Sequence, residues 1–199
     1  MTYHLYQTEA FVLAEQAFGE ANRVYYLLTP DFGLVMATAQ GIRLLRSKLR
    51  FNLNKYAYVR VVLVHGKETW RLVGAEKFDD YNHIYLDPIK LKFTVKIFIL
   101  LRRFIQGETS QKLLFEDLKM SLAYLAKLKS SPDDLKLLSG WEQVVVLRLM
   151  HFLGYIKDLP KLVPFIAFNQ WSSDILQSAK INQGFLVGVI NEAIEASHI

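Results

Sequence analysis

The stretch Glu9–Gly41, "EAFVLAEQAFGEANRVYYLLTPDFGLVMATAQG", contains three apolar runs separated by turn residues. The runs are short and rich in Val, Leu, Ala, Phe and Tyr. The first run ends at Gly19, and the second ends at Pro30-Asp31-Phe32-Gly33, where Pro and Gly occupy positions that favour a turn. Short apolar runs bounded by such turns predict three consecutive β-strands.

Two more strands are predicted before residue 79. "AYVRVVLVHG" (Ala57–Gly66) alternates between two sets of side chains, and "ETWRLVGAEKF" (Glu68–Phe78) completes the series. Five short strands in about 80 residues predict a small closed or partly closed barrel, and the OB-fold is the five-stranded example. An SH3-like barrel satisfies the same pattern, because the spacing of strands does not give their order.

The hydrophobic period changes after Asp79-Asp80. Leucines then recur at steps of three and four, which predicts one buried helical stripe: Leu114, Leu118, Leu122, Leu125 and Leu128. "SSPDDLKLL" (Ser130–Leu138) is a helix start, with Ser131 expected as the N-cap, and further apolar helices follow. We therefore expect an α+β protein with a five-stranded OB-fold barrel in residues 1–80 and an all-helical, protein-interacting domain in residues 81–199.

The composition limits the class of protein. The chain has 199 residues, of which 52% are hydrophobic, and it contains no cysteine. Disulfides and cysteine-ligated metal sites are therefore excluded, and we expect a cytoplasmic protein without a signal peptide. The most apolar segment, "FTVKIFILLRRFI" (Phe93–Ile105), is too short and too charged to span a bilayer, so it predicts a buried helix.

No motif for catalysis is present. The sequence lacks the glycine-rich phosphate loop, the dinucleotide fingerprint, the GxSxG elbow and the HExxH metal motif. Its five histidines never occur at metal-ligand spacing, and no carboxylate pair stands in an apolar setting. We therefore expect no catalytic residues, no metal, no cofactor and no enzymatic activity.

One segment is unusually basic. "QGIRLLRSKLRFNLNKYAYVR" (Gln40–Arg60) carries six Arg or Lys residues and no carboxylate, within a chain of net charge +5. Such a run needs either water or an anionic partner, because like charges repel. The long connection before the fourth strand holds one group of cations: Arg43, Arg46, Lys48 and Arg50. The fourth strand and its neighbourhood hold the other: Lys55, Arg60 and Lys67.

Aromatic residues are interleaved with these cations. Tyr56 and Tyr58 are expected to share a strand face with Arg60, and Phe51 lies in the connection itself. Cations contact phosphates and aromatic rings stack on bases, so this mixture is typical of single-strand nucleic-acid binding. Two alternatives remain open. The connection is a solvated loop whose Tyr56 and Phe51 cover the barrel end, or it docks an acidic protein and the chain is an adaptor.

A series of short motifs carries a family resemblance. They are "TEAFVL" (Thr8–Leu13), "GEANRVYYLLT" (Gly19–Thr29), "PDFGLVMATAQGIR" (Pro30–Arg43) and "RSKLR" (Arg46–Arg50). In this order and spacing they resemble the N-terminal domain of the bacterial recombination mediator RecO. "LRLMHFLGY" (Leu147–Tyr155) resembles the helix that the family carries before its zinc-binding segment.

The resemblance implies an OB-fold followed by a helical domain, acting in DNA repair and recombination. It implies binding of single- and double-stranded DNA, annealing of complementary strands, and loading of RecA onto DNA coated with single-strand-binding protein (SSB), with RecR as a partner. It favours the DNA-binding interpretation of the loop cations. Arg23, in the GEANR segment, is expected either to contact phosphate or to pair with Glu20.

The resemblance also implies a dock for the acidic and hydrophobic SSB tail. A basic-rimmed apolar groove in the helical domain would suit it, with Arg102, Arg103 and Arg148 as candidates; ordinary helix cations with buried stems are the alternative. The chain departs from the family where many members carry four cysteines, because it has "IKDLPKLVPFIAFNQW" (Ile156–Trp171) there. We therefore predict that it binds no zinc.

Overall fold

The computed structural model describes residues 4–66, 69–78, 81–129, 132–157, 159–167 and 170–197, with the backbone alone at 82 and 132–135. Five strands come first: β1 (Leu5–Phe18), β2 (Asn22–Thr29), β3 (Gly33–Ala39), β4 (Tyr58–His65) and β5 (Trp70–Lys77). A short 3₁₀ helix, Leu49–Phe51, lies between β3 and β4. The helices follow: α1 (Asn82–Leu86), α2 (Pro88–Phe104), α3 (Lys112–Lys127), α4 (Pro132–Phe152), α5 (Val163–Ile166), α6 (Ser173–Ile181) and α7 (Gln183–Ala196).

The five strands form a closed barrel in the order β1-β2-β3-β5-β4. Neighbouring strands are antiparallel except β3 and β5, which pair in parallel through only Ala37↔Trp70 and Thr38↔Arg71. The prediction of a five-stranded OB-fold barrel followed by helices is confirmed. The strand order, which the spacing of the sequence left open, follows from these pairings.

β1 is long because it serves two neighbours. Its first half pairs with β4 and its second half with β2, and the register shifts between Val12 and Ala14. The backbone of Val12 also bonds the end of the β3–β4 connection, donating to Ala57 O at 2.9 Å and accepting from Tyr56 N at 2.9 Å. β1 thus closes the barrel and holds one end of the basic connection.

The barrel core consists of the side chains that point inward, which are roughly every second residue along each strand. Val59, Val61 and Leu63 of β4 are fully buried, and the residues between them face outward. The core continues around the barrel with Ala10, Val12, Tyr25, Leu27, Val35, Ala37, Ala39, Trp70 and Leu72. Period-two alternation is what a sheet with one buried face requires.

The chain divides into two compact units. The first comprises Met1–Asn82 and Ile105–Phe115, and the second comprises His83–Phe104 and Glu116–Ile199. In the first unit the 105–115 segment lies against the β2–β3 turn, where Gln111 N donates to Pro30 O at 2.9 Å. The division into domains at residue 80, as a statement about function, stays a prediction.

In the second unit α4 is the central helix, and it packs against α2, α5, α6 and α7. It is continuous from Pro132 to Phe152, and its proposed N-cap, Ser131, lies outside the described residues. The apolar segment singled out in the sequence is α2, which buries Ile97, Phe98 and Leu101. No helix among those described has the length and hydropathy needed to cross a bilayer.

The contact between α4 and α6 depends on a glycine. A Cβ at Gly140 would overlap the carbonyl oxygen of Leu176, whereas a Cβ at Gly188 in α7 would meet no atom within 4 Å. We expect Gly140→Ala to lower the midpoint of thermal unfolding, because overpacking costs about 1–3 kcal/mol.

Gly188→Ala is the matched control. It removes a helical glycine without a clash, so we expect it to raise the unfolding midpoint, since Ala is favoured over Gly in helices by about 1 kcal/mol. Far-ultraviolet circular dichroism measures both midpoints. Equal effects of the two substitutions would contradict the close approach of α4 and α6.

Candidate nucleic-acid interface

The basic connection between β3 and β4 is amphipathic. Ile42 and Leu53 are both 2% exposed and belong to the barrel core, whereas Phe51 is 64% exposed. In the solvated-loop alternative Phe51 and Tyr56 cover the barrel end; the structure leaves Phe51 exposed and buries Ile42 and Leu53 there. Removing these two apolar side chains from water is favourable, and the cations between them remain exposed or half-buried.

Hydrogen bonds hold this connection at both sides. Near its start, Gly41 N donates to Asn22 Oδ1 at 2.9 Å, and Arg43 N donates to Ala21 O at 3.0 Å. Further along, Asn52 Nδ2 donates to Ala75 O on β5 at 2.9 Å. The connection is therefore fixed to the β1–β2 turn and to β5.

The connection between β3 and β4 carries five cations. Arg43, Arg46, Lys48 and Lys55 are exposed, and Arg50 is half-buried. Within the part of the chain that the structure describes, none of the five forms an ion pair with a carboxylate. Positive charge that is not neutralised inside the molecule attracts anions from outside it.

Three arginines from different elements meet in one cleft. Arg23 of β2, Arg43 of the connection and Arg50 of the 3₁₀ helix line an open space of about 230 Å³, together with Tyr25 and Ile42. The guanidinium is the side chain best suited to phosphate oxygens, because its donors form a planar fork. We call this space the arginine cleft.

Two of these arginines are already held in place. Arg23 Nη1 donates to Glu15 Oε1 at 2.8 Å, so its partner is Glu15 and not Glu20. Arg43 Nη1 donates to the carbonyl of Gly19 at 3.1 Å. The cleft thus presents three guanidiniums against one carboxylate, and a phosphate would find at least two partly positioned donors.

Two aromatic rings accompany the cations, the exposed ring of Phe51 and the half-buried ring of Tyr56. The guanidinium carbon of Arg50 lies 4.6 Å from the centre of the Phe51 ring, and Lys55 Nζ lies 4.9 Å from that of Tyr56. Tyr56 precedes β4 and has a positive φ of 72°, a conformation that side chains rarely adopt. These cation–π pairs place flat surfaces beside positive charge.

The other predicted residues of β4 are placed differently. Tyr58 is 2% exposed, its hydroxyl donates to Glu9 Oε2 at 2.6 Å, and its ring stacks on Phe11 at 4.8 Å. The prediction that Tyr58 and Tyr56 form a shared stacking face is therefore wrong.

Arg60 of β4 forms an ion pair with Glu76 of β5 at 3.1 Å. Lys67 lies outside the described residues.

The candidates for partner binding separate into two kinds. Arg102 and Arg103 are exposed in the last turn of α2, and the guanidinium of Arg103 lies 5.5 Å from the ring centre of Phe104. Arg148 is fully buried, so it is not a rim residue of any groove.

Arg148 has a structural role instead. It donates to Asp117 Oδ1 at 2.8 Å and to the carbonyls of Phe165 and Gln170, each at 2.7 Å. A buried charge is tolerated when it is paired and hydrogen-bonded in this way. The side chain thereby holds the backbone at Phe165 and at Gln170. Among the described residues no group of three His, Asp or Glu could hold a metal ion.

A second cleft was not expected from the sequence. It has a volume of about 270 Å³ on the outer face of the barrel between β3 and β5, and its lining residues are Thr38, Gln40, Leu49, Arg71, Leu72 and Val73. The sequence places Arg71 in a strand far from the basic connection. Only the parallel pairing of β3 with β5 brings it there.

Tyr25, which lines the arginine cleft, has a raised pKa. Burial raises the pKa of Tyr25 to about 12, the Glu15 carboxylate adds to the effect, and Arg23 opposes it. The folded pKa exceeds the ordinary value of 10.0, so the stability contributed by neutral Tyr25 is complete below pH 10 and is lost as pH rises toward 12.

We expect the ultraviolet absorbance of the protein to show a tyrosine ionisation step near pH 12. This step should be missing in Tyr25→Phe. Tyr26→Phe, which changes the next residue, should keep this component. If the difference between wild type and Tyr25→Phe is instead centred near pH 10, the buried and charged setting of Tyr25 is wrong.

The barrel part of the chain is similar to a known protein domain. Residues 1–78 match the family model described as recombination protein O N terminal. The DNA repair protein RecO of Dehalococcoides mccartyi is 33% identical over 81 residues, which cover 41% of this chain and 32% of that protein. DNA repair protein RecO of Heliobacterium modesticaldum is 31% identical over 86 residues, which cover 43% of this chain and 32% of that protein.

The matched segment thus spans about a third of the length of these curated relatives. It coincides with the barrel and includes the whole basic connection. Residues 1–78 are therefore similar to the N-terminal domain of recombination protein O, and the similarity covers the barrel part of the chain.

Proposed function

We propose that this protein acts in DNA repair as a recombination mediator, and that it binds single- and double-stranded DNA through the basic connection of its barrel. The observation that carries the proposal is the set of five cations that have no carboxylate partner among the described residues. The similarity of residues 1–78 to the N-terminal domain of recombination protein O supports the assignment of DNA as the polyanion.

The arginine cleft is the proposed centre of the phosphate contacts. Arg23, Arg43 and Arg50 surround a space large enough for a phosphate, and Arg46, Lys48 and Lys55 extend the positive surface along the chain. Phe51 and Tyr56 offer rings on which bases stack at roughly 1–3 kcal/mol each. Stacking and charge together favour single strands, in which the bases are accessible.

Strand annealing follows from the same chemistry. A surface that neutralises phosphates on two strands at once lowers the repulsion between them, so that complementary bases can meet. Annealing of this kind needs positive charge and does not make or break covalent bonds. We therefore propose that the protein catalyses no reaction and uses neither a cofactor nor a metal. In this proposal residues 1–80 are the DNA-binding domain of a cytoplasmic protein associated with the nucleoid.

The double substitution Arg46→Glu with Arg50→Glu tests the DNA surface. We expect it to weaken binding of a labelled single-stranded oligonucleotide about tenfold or more at moderate salt, because it removes two phosphate contacts and adds repulsion. The slope of log affinity against log salt should become shallower by about 1.4, since each phosphate neutralised on a single strand contributes about 0.7.

Lys161→Glu with Lys180→Glu is the matched control, because both lysines are exposed in the helical unit and the change in net charge is the same. Filter binding at several salt concentrations gives both quantities. Loss of affinity in the two double variants alike would show a general charge effect and would refute the assignment to the connection. Thermal unfolding of each variant checks that it is folded.

The helical region, residues 81–199, is the proposed binding site for two protein partners, RecR and SSB. Binding to SSB would bring the protein to SSB-coated DNA, onto which RecA is loaded. Arg102 and Arg103 at the end of α2 are the proposed contacts for the acidic SSB tail. Arg148 is not included, because it is buried.

Titration with a peptide of the SSB tail tests this contact. We expect Arg102→Glu with Arg103→Glu to abolish a saturable change in fluorescence anisotropy, because each substitution places a like charge against the acidic peptide. Single-stranded DNA binding should be retained. Undiminished peptide binding by this variant would place the SSB contact elsewhere.

One observation favours the alternative of a protein-docking adaptor. Leu44 and Leu45 stand among the cations of the connection, and Leu45 is 85% exposed. An acidic amphipathic peptide would suit that mixture. The oligonucleotide measurement separates the two functions, because an adaptor without a DNA role would show no salt-dependent binding of single strands.

A further inference from the structure

The cleft between β3 and β5 lies where the barrel closes. Among the described residues, the parallel register between β3 and β5 comprises Ala37↔Trp70 and Thr38↔Arg71. Thr38 of β3 and Arg71 and Val73 of β5 line a space of about 270 Å³ at this seam, together with Gln40, Leu49 of the 3₁₀ helix and the buried Leu72. We call this space the seam cleft.

The lining of the seam cleft is divided by chemistry. Leu49, Leu72 and Val73 provide apolar walls, and Val73 is 47% exposed although it is a valine on a strand. Thr38, Gln40 and Arg71 provide a hydroxyl, an amide and a guanidinium. Apolar walls with a few converging polar groups are typical of sites for small planar ligands.

This lining differs from that of the arginine cleft. The seam cleft has one cation and three apolar side chains, whereas the arginine cleft has three cations. A phosphate gains little from apolar walls, because its charge would lose solvation without enough donors. A nucleobase fits both parts: its faces pack on apolar side chains or on a guanidinium, and its edge bonds to amides and hydroxyls.

The two clefts are joined by one short element. Leu49 lines the seam cleft and Arg50, the next residue of the same 3₁₀ helix, lines the arginine cleft. A strand whose phosphates lie along the connection would therefore pass next to the seam cleft.

We propose that the seam cleft receives a nucleobase of the bound single strand, with Arg71 and Gln40 contacting the base and Leu49 and Val73 packing on it. The inference rests on the proposed function, because it takes the strand to lie on the connection. It goes beyond that function by adding a base-binding site where β3 and β5 meet, separate from the phosphate contacts.

The test compares two labelled probes of equal length, an oligothymidine and the same sugar-phosphate strand without bases. We expect wild-type protein to bind the oligothymidine more tightly, because base stacking is lost in the abasic strand. In Val73→Glu the ratio of the two affinities should fall about fivefold or more, which corresponds to about 1 kcal/mol from one base site.

Leu5→Glu is the matched control, since Leu5 is an apolar β1 residue, 62% exposed, that lines neither cleft. It adds the same charge and should leave the ratio unchanged. Gln40→Ala, a change at an exposed residue, is a second variant that should lower the ratio even if Val73→Glu fails to fold. Thermal unfolding of each variant reports folding.

The outcomes are distinct. A ratio that stays at the wild-type value in folded Val73→Glu, or in Gln40→Ala, overturns the seam cleft as a base site while leaving phosphate binding intact. Equal loss in Leu5→Glu also overturns it, because the effect would then be one of net charge. Absence of any binding to either probe by the wild type refutes the proposed function itself.

Discussion

The burial of Ile42 and Leu53 is the constraint on which the basic surface depends. These two side chains cover one end of the barrel core and leave the cations between them with no place inside. Apolar burial of this kind contributes roughly 1.5–3 kcal/mol for each large side chain. It helps to position the connection without any ion pair between its five cations and a carboxylate of the described residues.

The two units use arginine in opposite ways. In the helical unit the guanidinium of Arg148 is buried and bonds to Asp117 and to two carbonyls, and it thereby fixes the backbone at Phe165 and at Gln170. On the barrel, Arg46 and Lys48 are exposed and have no such partners in the described structure. A buried arginine without acceptors would be very costly, whereas an exposed one costs little and remains available to an anion.

Much of the barrel could be predicted because its information is local. Alternation of apolar residues and turns at Gly19 and Pro30–Gly33 gave strands close to those observed, and the cation-rich connection was visible as a run without carboxylates. Tyr58 was assigned wrongly because alternation tells which residues share a face, but it cannot tell that Phe11 and Phe78 cover that face. Arg148 was misplaced for a similar reason, since a cation in an apolar helix gives no sign of distant acceptors.

The sequence by itself determined the five strands, the helical region after them, the absence of cysteine chemistry and the concentration of positive charge between β3 and β4. Tertiary structure decided which charges remain available: it paired Arg23 with Glu15 and Arg60 with Glu76, and it brought Arg23, Arg43 and Arg50 into one cleft. It also opened the seam beside Arg71. The physical reason is that strand periodicity and turns depend on residues close together in the sequence. Ion pairs, the burial of a strand face and the lining of a cleft depend on residues that are distant in the sequence and meet only in the closed barrel.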